Sequence, residues 1–251
     1  MNLGHLLRRL IVLTMVITGG CASSSRPARD VTGSYYPDWL ATAPHAPVFE
    51  VRDTVNKYGR YARETKRIDL ADLIRFHGHF CGGLVEAAVS LRVAFDGLFP
   101  DGFVDRTDLR IASNNSACGG DVAAYLTGAR TRFGTHFIDP ALTESEFVVQ
   151  RASTGATVRV RIRPETYPVE VRTQMRHIEA GHTEPRELER FQVLQWEYAR
   201  TLVSRPPSEA AMLVDAGSYA WPEPACRGLG PRRDNDFRGT LPGGSDSPRS
   251  E

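Results

Sequence analysis

Two histidines and a cysteine fall within five residues in the stretch Phe76-His77-Gly78-His79-Phe80-Cys81-Gly82-Gly83. Imidazole nitrogen and thiolate sulfur are borderline-soft donors that suit zinc, nickel, copper or iron better than magnesium or calcium. Downstream, Ser113-Asn114-Asn115-Ser116-Ala117-Cys118-Gly119-Gly120-Asp121 presents another thiol before another glycine pair. A lone turn histidine or buried cysteine is commonplace. Three such side chains packed around glycines, with a matching thiol elsewhere, point to a metal or catalytic role. His77, His79, Cys81 and Cys118 are the candidate ligands, and Asp121 and Glu86 are carboxylates able to orient a ligand or act as a base. His136, in the polar loop Arg130–His136, is a further candidate ligand. Two alternatives stay open here: a Cys81–Cys118 disulfide in place of a shared ion, and Cys118 as the nucleophile of an acyl-transfer enzyme.

These side chains need elements to hold them. Leu84, Ala87, Ala88, Leu91, Ala94, Phe95 and Leu98 recur at helical spacing, so Cys81 stands at the N-terminus of a buried helix. The dipole there favours thiolate over thiol. Asp69 and Asp72 form a capping box ahead of Leu70, Leu73 and Ile74, a short helix that delivers His77. Val122, Leu126 and Ala129 continue from Cys118 as another helix, with Asp121 expected in its first turn. Leu109 and Ile111 alternate as a strand. Phe147 and Val149, then Val158, Val160 and Ile162, flank Gly155 as a hairpin whose Arg159, Arg161 and Arg163 form a solvated basic face.

The segment Phe49–Lys66 is expected to be helical, with Val48, Val51, Val55 and Tyr58 on one side. Val171, Met175 and Ile178 lead to a helix stop at Gly181. Pro185 opens a helix carrying Leu188, Phe191, Leu194, Tyr198 and Leu202, which Pro206-Pro207 ends. Ser208 caps one further turn.

At 251 residues the chain holds one sizeable domain with appendages. Its hydrophobic content of 41% and charged content of 24% are ordinary for a globular protein, and a net charge of +1 gives no sign of a nucleic-acid partner. Arg8-Arg9, an apolar run from Leu10 to Ile17 and Thr18-Gly19-Gly20 read as a signal peptide over residues 1–20, too short to span a bilayer. The small residues before Cys21 resemble the lipobox of bacterial lipoproteins, which implies a lipidated Cys21 and a membrane partner. Ala22 resembles outer-membrane sorting, so the expected location is the cell envelope, anchored at the outer membrane and facing the periplasm. Residues 21–47 read as a flexible tether, 48–225 as the folded domain and 226–251 as a disordered tail. Of four cysteines, Cys81, Cys118 and Cys226 remain once Cys21 is set aside, an odd number in an oxidising compartment.

The order FHGHFCGG, then NNSACGGD, then RTRFGTHFID, then a hairpin and a two-helix tail resembles the FmdE-like family, named for a component of molybdenum formylmethanofuran dehydrogenase. The resemblance runs from about Asp69 to Pro224. It implies an α+β domain, a mixed sheet with packed helices, commonly a homodimer, binding a transition metal, often zinc, through the histidines and cysteines of its motifs. By position these are His77, His79, Cys81, Cys118 and Asp121. Gly82 stands where the family has proline, Glu86 enters a helix where small or apolar residues are usual, and the third motif lacks its lysine. Nothing resembles molybdenum or pterin sites, so the resemblance implies a metal-binding fold and not formylmethanofuran chemistry. The expected function is a membrane-anchored metal-binding module; the alternative is a metal-dependent hydrolase or cysteine-nucleophile enzyme on the same residues.

Overall fold

The computed structural model describes residues 36–56 and 61–223. The expected signal peptide, Cys21, Tyr58 and the expected disordered tail with Cys226 lie outside the described residues.

Alternation, and not helical spacing, governs the chain after Val48. Phe49 and Val51 are fully buried while Glu50 and Arg52 are half-buried, and Phe49–Arg52 forms strand β1. It pairs antiparallel with β2, Lys66–Ile68. The expected helix over Phe49–Lys66 is therefore corrected to a pair of strands. Val51 and Val55 do fit a helical face, but Val55 is exposed. A short period-two pattern prevails where neighbouring strands supply the hydrogen bonds.

Helix α1, Leu70–His77, starts as expected. The Asp69 carboxylate accepts from the Asp72 amide and the Asp72 carboxylate accepts from the Asp69 amide, both at 3.2 Å. Leu70, Leu73 and Ile74 bury the helix, and it stops at Gly78, whose φ of 101° places it in the left-handed region. Helix α2, Gly82–Leu98, is apolar around most of its circumference, as a helix enclosed on all sides must be. Its Leu84, Val85, Leu91 and Phe95 are completely buried, each contributing about 1.5–3 kcal/mol by leaving water.

Strand β3, Phe103–Asp105, runs parallel to β1 and completes a three-stranded sheet of order β2-β1-β3. There follow β4 (Leu109–Ser113), α3 (Ala117–Thr127), β5 (His136–Ile138), β6 (Phe147–Arg151), β7 (Thr157–Ile162), α4 (Val169–Glu179), α5 (Pro185–Val203), α6 (Pro207–Ala210) and β8 (Ala211–Val214). The second sheet has the order β5-β4-β6-β7-β8, with only the β4–β5 pair parallel. The domain is thus α+β, with helices packed on mixed sheets. One side of α2 lies on β6, β7 and β8, and α3, α5 and α6 also pack against the helix. Among the described residues no helix is long and apolar enough to cross a membrane.

The opposite face of the second sheet carries a small separate core of Ala112, Phe137, Leu142 and Val148, against which Tyr219 and Trp221 pack. Two arginines of the expected basic face are partnered within the chain, while Arg161 Nε is buried without a hydrogen-bond partner. Arg159 donates to Glu146 at 2.7 Å and Arg163 reaches the Ser208 carbonyl at 3.5 Å.

Residues 36–47, expected within a flexible tether, are docked on the domain. Asp38–Thr42 forms a 3-10 turn that buries Leu40, the His45 amide donates to the Val203 carbonyl at 3.0 Å, and Trp39 meets Phe80 edge to face at 5.7 Å. The apolar side chains of this stretch have a surface to cover, and so it is ordered.

Candidate metal centre

Three helix ends converge on one point. His77 is the last residue of α1, Cys81 is the N-cap of α2, and Cys118 lies in the first turn of α3. Ser116 caps α3 by accepting from the Gly119 amide at 3.0 Å. Cys118 Sγ stands 3.4 Å from Cys81 Sγ and 3.5 Å from His77 Nε2, and Cys81 Sγ stands 3.9 Å from the same nitrogen. A tetrahedral zinc with Zn–S of about 2.3 Å and Zn–N of about 2.0 Å has S–S edges of about 3.8 Å and S–N edges of about 3.5 Å. The three donors therefore outline one face of such a tetrahedron. The His79 donor completes a group with those of His77 and Cys81, all within 4.8 Å of one another, and this group can hold a metal ion. The two sulfurs are not bonded: both cysteines are free, and a disulfide would need about 2.05 Å.

The other edge of the His77 ring is held. Its Nδ1 lies 2.8 Å from Asp121 Oδ2, with the imidazole side chain buried and the carboxylate 43% exposed. A carboxylate on Nδ1 fixes that nitrogen as the proton carrier and leaves the Nε2 lone pair facing the sulfurs. Asp121 lies one turn deeper in α3 than expected, for the helix begins at Ala117 and has no acidic residue in its first turn. It reaches His77 from the second turn. His79 is exposed, its ring centroid 4.3 Å from that of His77. Partial burial and the neighbouring His77 lower its pKa, which favours the neutral, ligating form.

The two thiols are not equivalent. The hydrogen bond from Cys81 brings Cys118 down to about 6, helped by His77, while the same contact and burial push Cys81 well above its ordinary value. Glycines make the approach possible. A Cβ on Gly83 would sit 3.3 Å from Cys118 Cβ, and one on Gly119 would fall 2.8 Å from the Glu144 carbonyl.

Glu86 does not join the donors. It is buried, accepting from the Tyr198 hydroxyl at 2.6 Å and from the Ser145 hydroxyl. Burial raises its carboxyl pKa against the lowering effect of those two hydrogen bonds. His136 is likewise placed elsewhere, buried on β5 with Nε2 2.9 Å from the Ser113 hydroxyl. Burial, with the charge of Arg130, takes its pKa down to about 4.

Two residues that the motifs do not announce hold the first turn from outside. Gln195 Oε1 accepts from the Gly82 amide at 2.7 Å, and Gln192 Nε2 donates to the Phe80 carbonyl at 3.2 Å, both from α5. Phe80 is packed between Trp39 and Trp196. The only sequence trace of this clamp is the spacing of Gln192, Gln195 and Tyr198 along one side of α5.

No curated protein matches the chain. The sequence model of FmdE, described as molybdenum formylmethanofuran dehydrogenase operon, matches residues 76–211. That span opens at the first motif, takes in both cysteine turns and the hairpin, and ends at the head of β8. Covering more than half of the chain and every candidate ligand, it shows that the chain belongs to the FmdE family.

Proposed function

We propose that the domain is a binding module for a transition metal ion, zinc, held by His77 Nε2, Cys81 Sγ and Cys118 Sγ, with His79 as fourth donor and Asp121 orienting His77. The observation that carries this reading is the triangle of donors with edges of 3.4, 3.5 and 3.9 Å, contributed by three separate helix ends. Bound there, the ion would tie α1, α2 and α3 together and supply a Lewis-acid centre. The enzyme reading has less support, because both oxygens of Glu86, one of its two candidate bases, are engaged by hydroxyls. Elemental analysis and X-ray absorption of the purified protein test the proposal. One zinc per chain with two sulfur and two nitrogen donors is expected. A metal-free protein overturns the reading, and a shell with an exchangeable water favours catalysis.

The module is proposed to be tethered through a lipidated Cys21 to the outer membrane, facing the periplasm, on the strength of the short apolar run and small residues before that cysteine. Palmitate labelling that survives Cys21→Ser would refute this. A homodimer is the proposed assembly, supported by the exposed Val169 of α4 and Leu188 and Val193 of α5. Light scattering that gives the single-chain mass would exclude it.

A further inference from the structure

We propose that Cys81 and Cys118 are also a redox-active dithiol, which an organic disulfide converts to an intramolecular disulfide in a state that excludes the metal. The exclusion rests on the metal reading above; formation of the disulfide does not. The sulfurs are in contact at 3.4 Å, about 1.3 Å beyond bonding distance, and each sits at a helix start. Gly83 leaves no side chain between the two turns, since a Cβ there would lie 3.4 Å from Cys118 Sγ and 3.3 Å from its Cβ. The gap to be closed is thus short and no side chain stands in it.

Access gives the reaction a direction. Cys81 is buried at 8% exposure, whereas Cys118 is only half-buried. Cys118 Sγ is the sulfur that an incoming disulfide R–S–S–R can meet. Its attack forms a bond from Cys118 Sγ to one sulfur of the organic disulfide and breaks the S–S bond between that sulfur and the other, which leaves as RS⁻ and takes up the Cys118 proton. Cys81 Sγ then attacks Cys118 Sγ from behind, expelling the second RS⁻, which takes up the Cys81 proton. The balance is one organic disulfide and two thiols in, one internal disulfide and two RSH out. The two cysteines are oxidised, the organic disulfide is reduced, and the metal keeps its charge. A disulfide sulfur has no thiolate charge to offer an ion, so two of the four proposed donors are lost together.

The test uses the full chain carrying Cys21→Ser and Cys226→Ser, so that two thiols remain. Reduced protein, zinc-loaded and zinc-free, is treated with oxidised glutathione and followed by intact mass, thiol titration and a zinc-sensitive dye. The expected result is a mass loss of two hydrogens, loss of both thiols and release of the bound zinc, all reversed by a dithiol reductant. Adding Cys81→Ser should trap one glutathione on Cys118 as a stable adduct. Adding Cys118→Ser should leave the buried Cys81 unmodified over the same period. Glutathione adducts or chain-to-chain disulfides in place of the internal bond would overturn the proposal, as would equal reactivity of the two single-thiol variants. Retention of zinc by oxidised protein would overturn the exclusion. An internal disulfide in protein that binds no zinc when reduced would sustain the dithiol and refute the metal reading.

Discussion

Asp121 touches His77 on the ring edge that faces away from the sulfurs, so its contribution can be separated from ligation. Asp121→Asn keeps the size but weakens the orienting hydrogen bond, and zinc affinity is expected to fall about 10–100-fold with the far-ultraviolet spectrum unchanged. Isothermal titration checks this, and an unchanged affinity would show that the contact is incidental. His136 gives a second residue-scale prediction, this one about stability. Its folded pKa of about 4 lies below the ordinary histidine value of 6.5, so the unfolded chain binds a proton that the folded one does not. Stability from this group is complete above about pH 6.5, declines as pH falls, and is lost below about 4. The difference corresponds to about 3 kcal/mol. His136→Asn should flatten the dependence of urea midpoint on pH across that window. A parallel shift of the whole curve would assign the decline to other groups. The side chains that converge where the three helix ends meet were legible as candidates in the sequence because their chemistry is a property of residue type. Their roles were legible less evenly: Glu86 looked equivalent to Asp121 until burial assigned it to Tyr198 and Ser145.

The elements divide by how local their causes are. The capping box of α1, the apolar run of α2 and the β6–β7 hairpin around Gly155 are written in contiguous residues, and each forms as its pattern requires. Strands β3, β5 and β8 have three or four residues each and exist through partners far along the chain. No local pattern of that length distinguishes them from loops. The clamp from α5 is non-local too, with Gln195 meeting Gly82 across 113 positions. Gln195→Met keeps the side-chain length and removes the acceptor, leaving the buried Gly82 amide unpaired at a cost of about 1–3 kcal/mol. The affected turn carries Cys81, so zinc affinity should fall roughly tenfold. The control is Gln192→Met, which frees a carbonyl with a second lone pair and should weaken binding less. Equal effects in both variants would mean that the helix acts by packing alone.

At the scale of the molecule, the proposed ion joins parts of the chain that local structure keeps separate. His77 and Cys81 flank one turn, while Cys118 arrives from a helix start 37 residues beyond Cys81. The docked segment 36–47 adds a further tie, since Trp39 covers Phe80 beside the same turn. That arrangement was unreadable from a stretch rich in Pro and Ala, because its order comes from the surface it meets. A ligand that binds only the folded state stabilises it in proportion to the logarithm of its excess, about 2.7 kcal/mol at a hundredfold excess over Kd. For a chain of this size that is a rise of roughly 5–10 °C in melting temperature. Chelation should remove the rise from the wild type. Cys81→Ser and Cys118→Ser should each melt at a temperature that zinc and chelator leave nearly unchanged, since neither turn alone offers a complete shell. Acidification should act in the same sense as chelator, because protons compete with the ion for thiolate sulfur and imidazole nitrogen. If Cys118→Ser kept the full zinc response while Cys81→Ser lost it, the ion would belong to the first turn alone, and the 3.4 Å sulfur contact would be packing and not coordination.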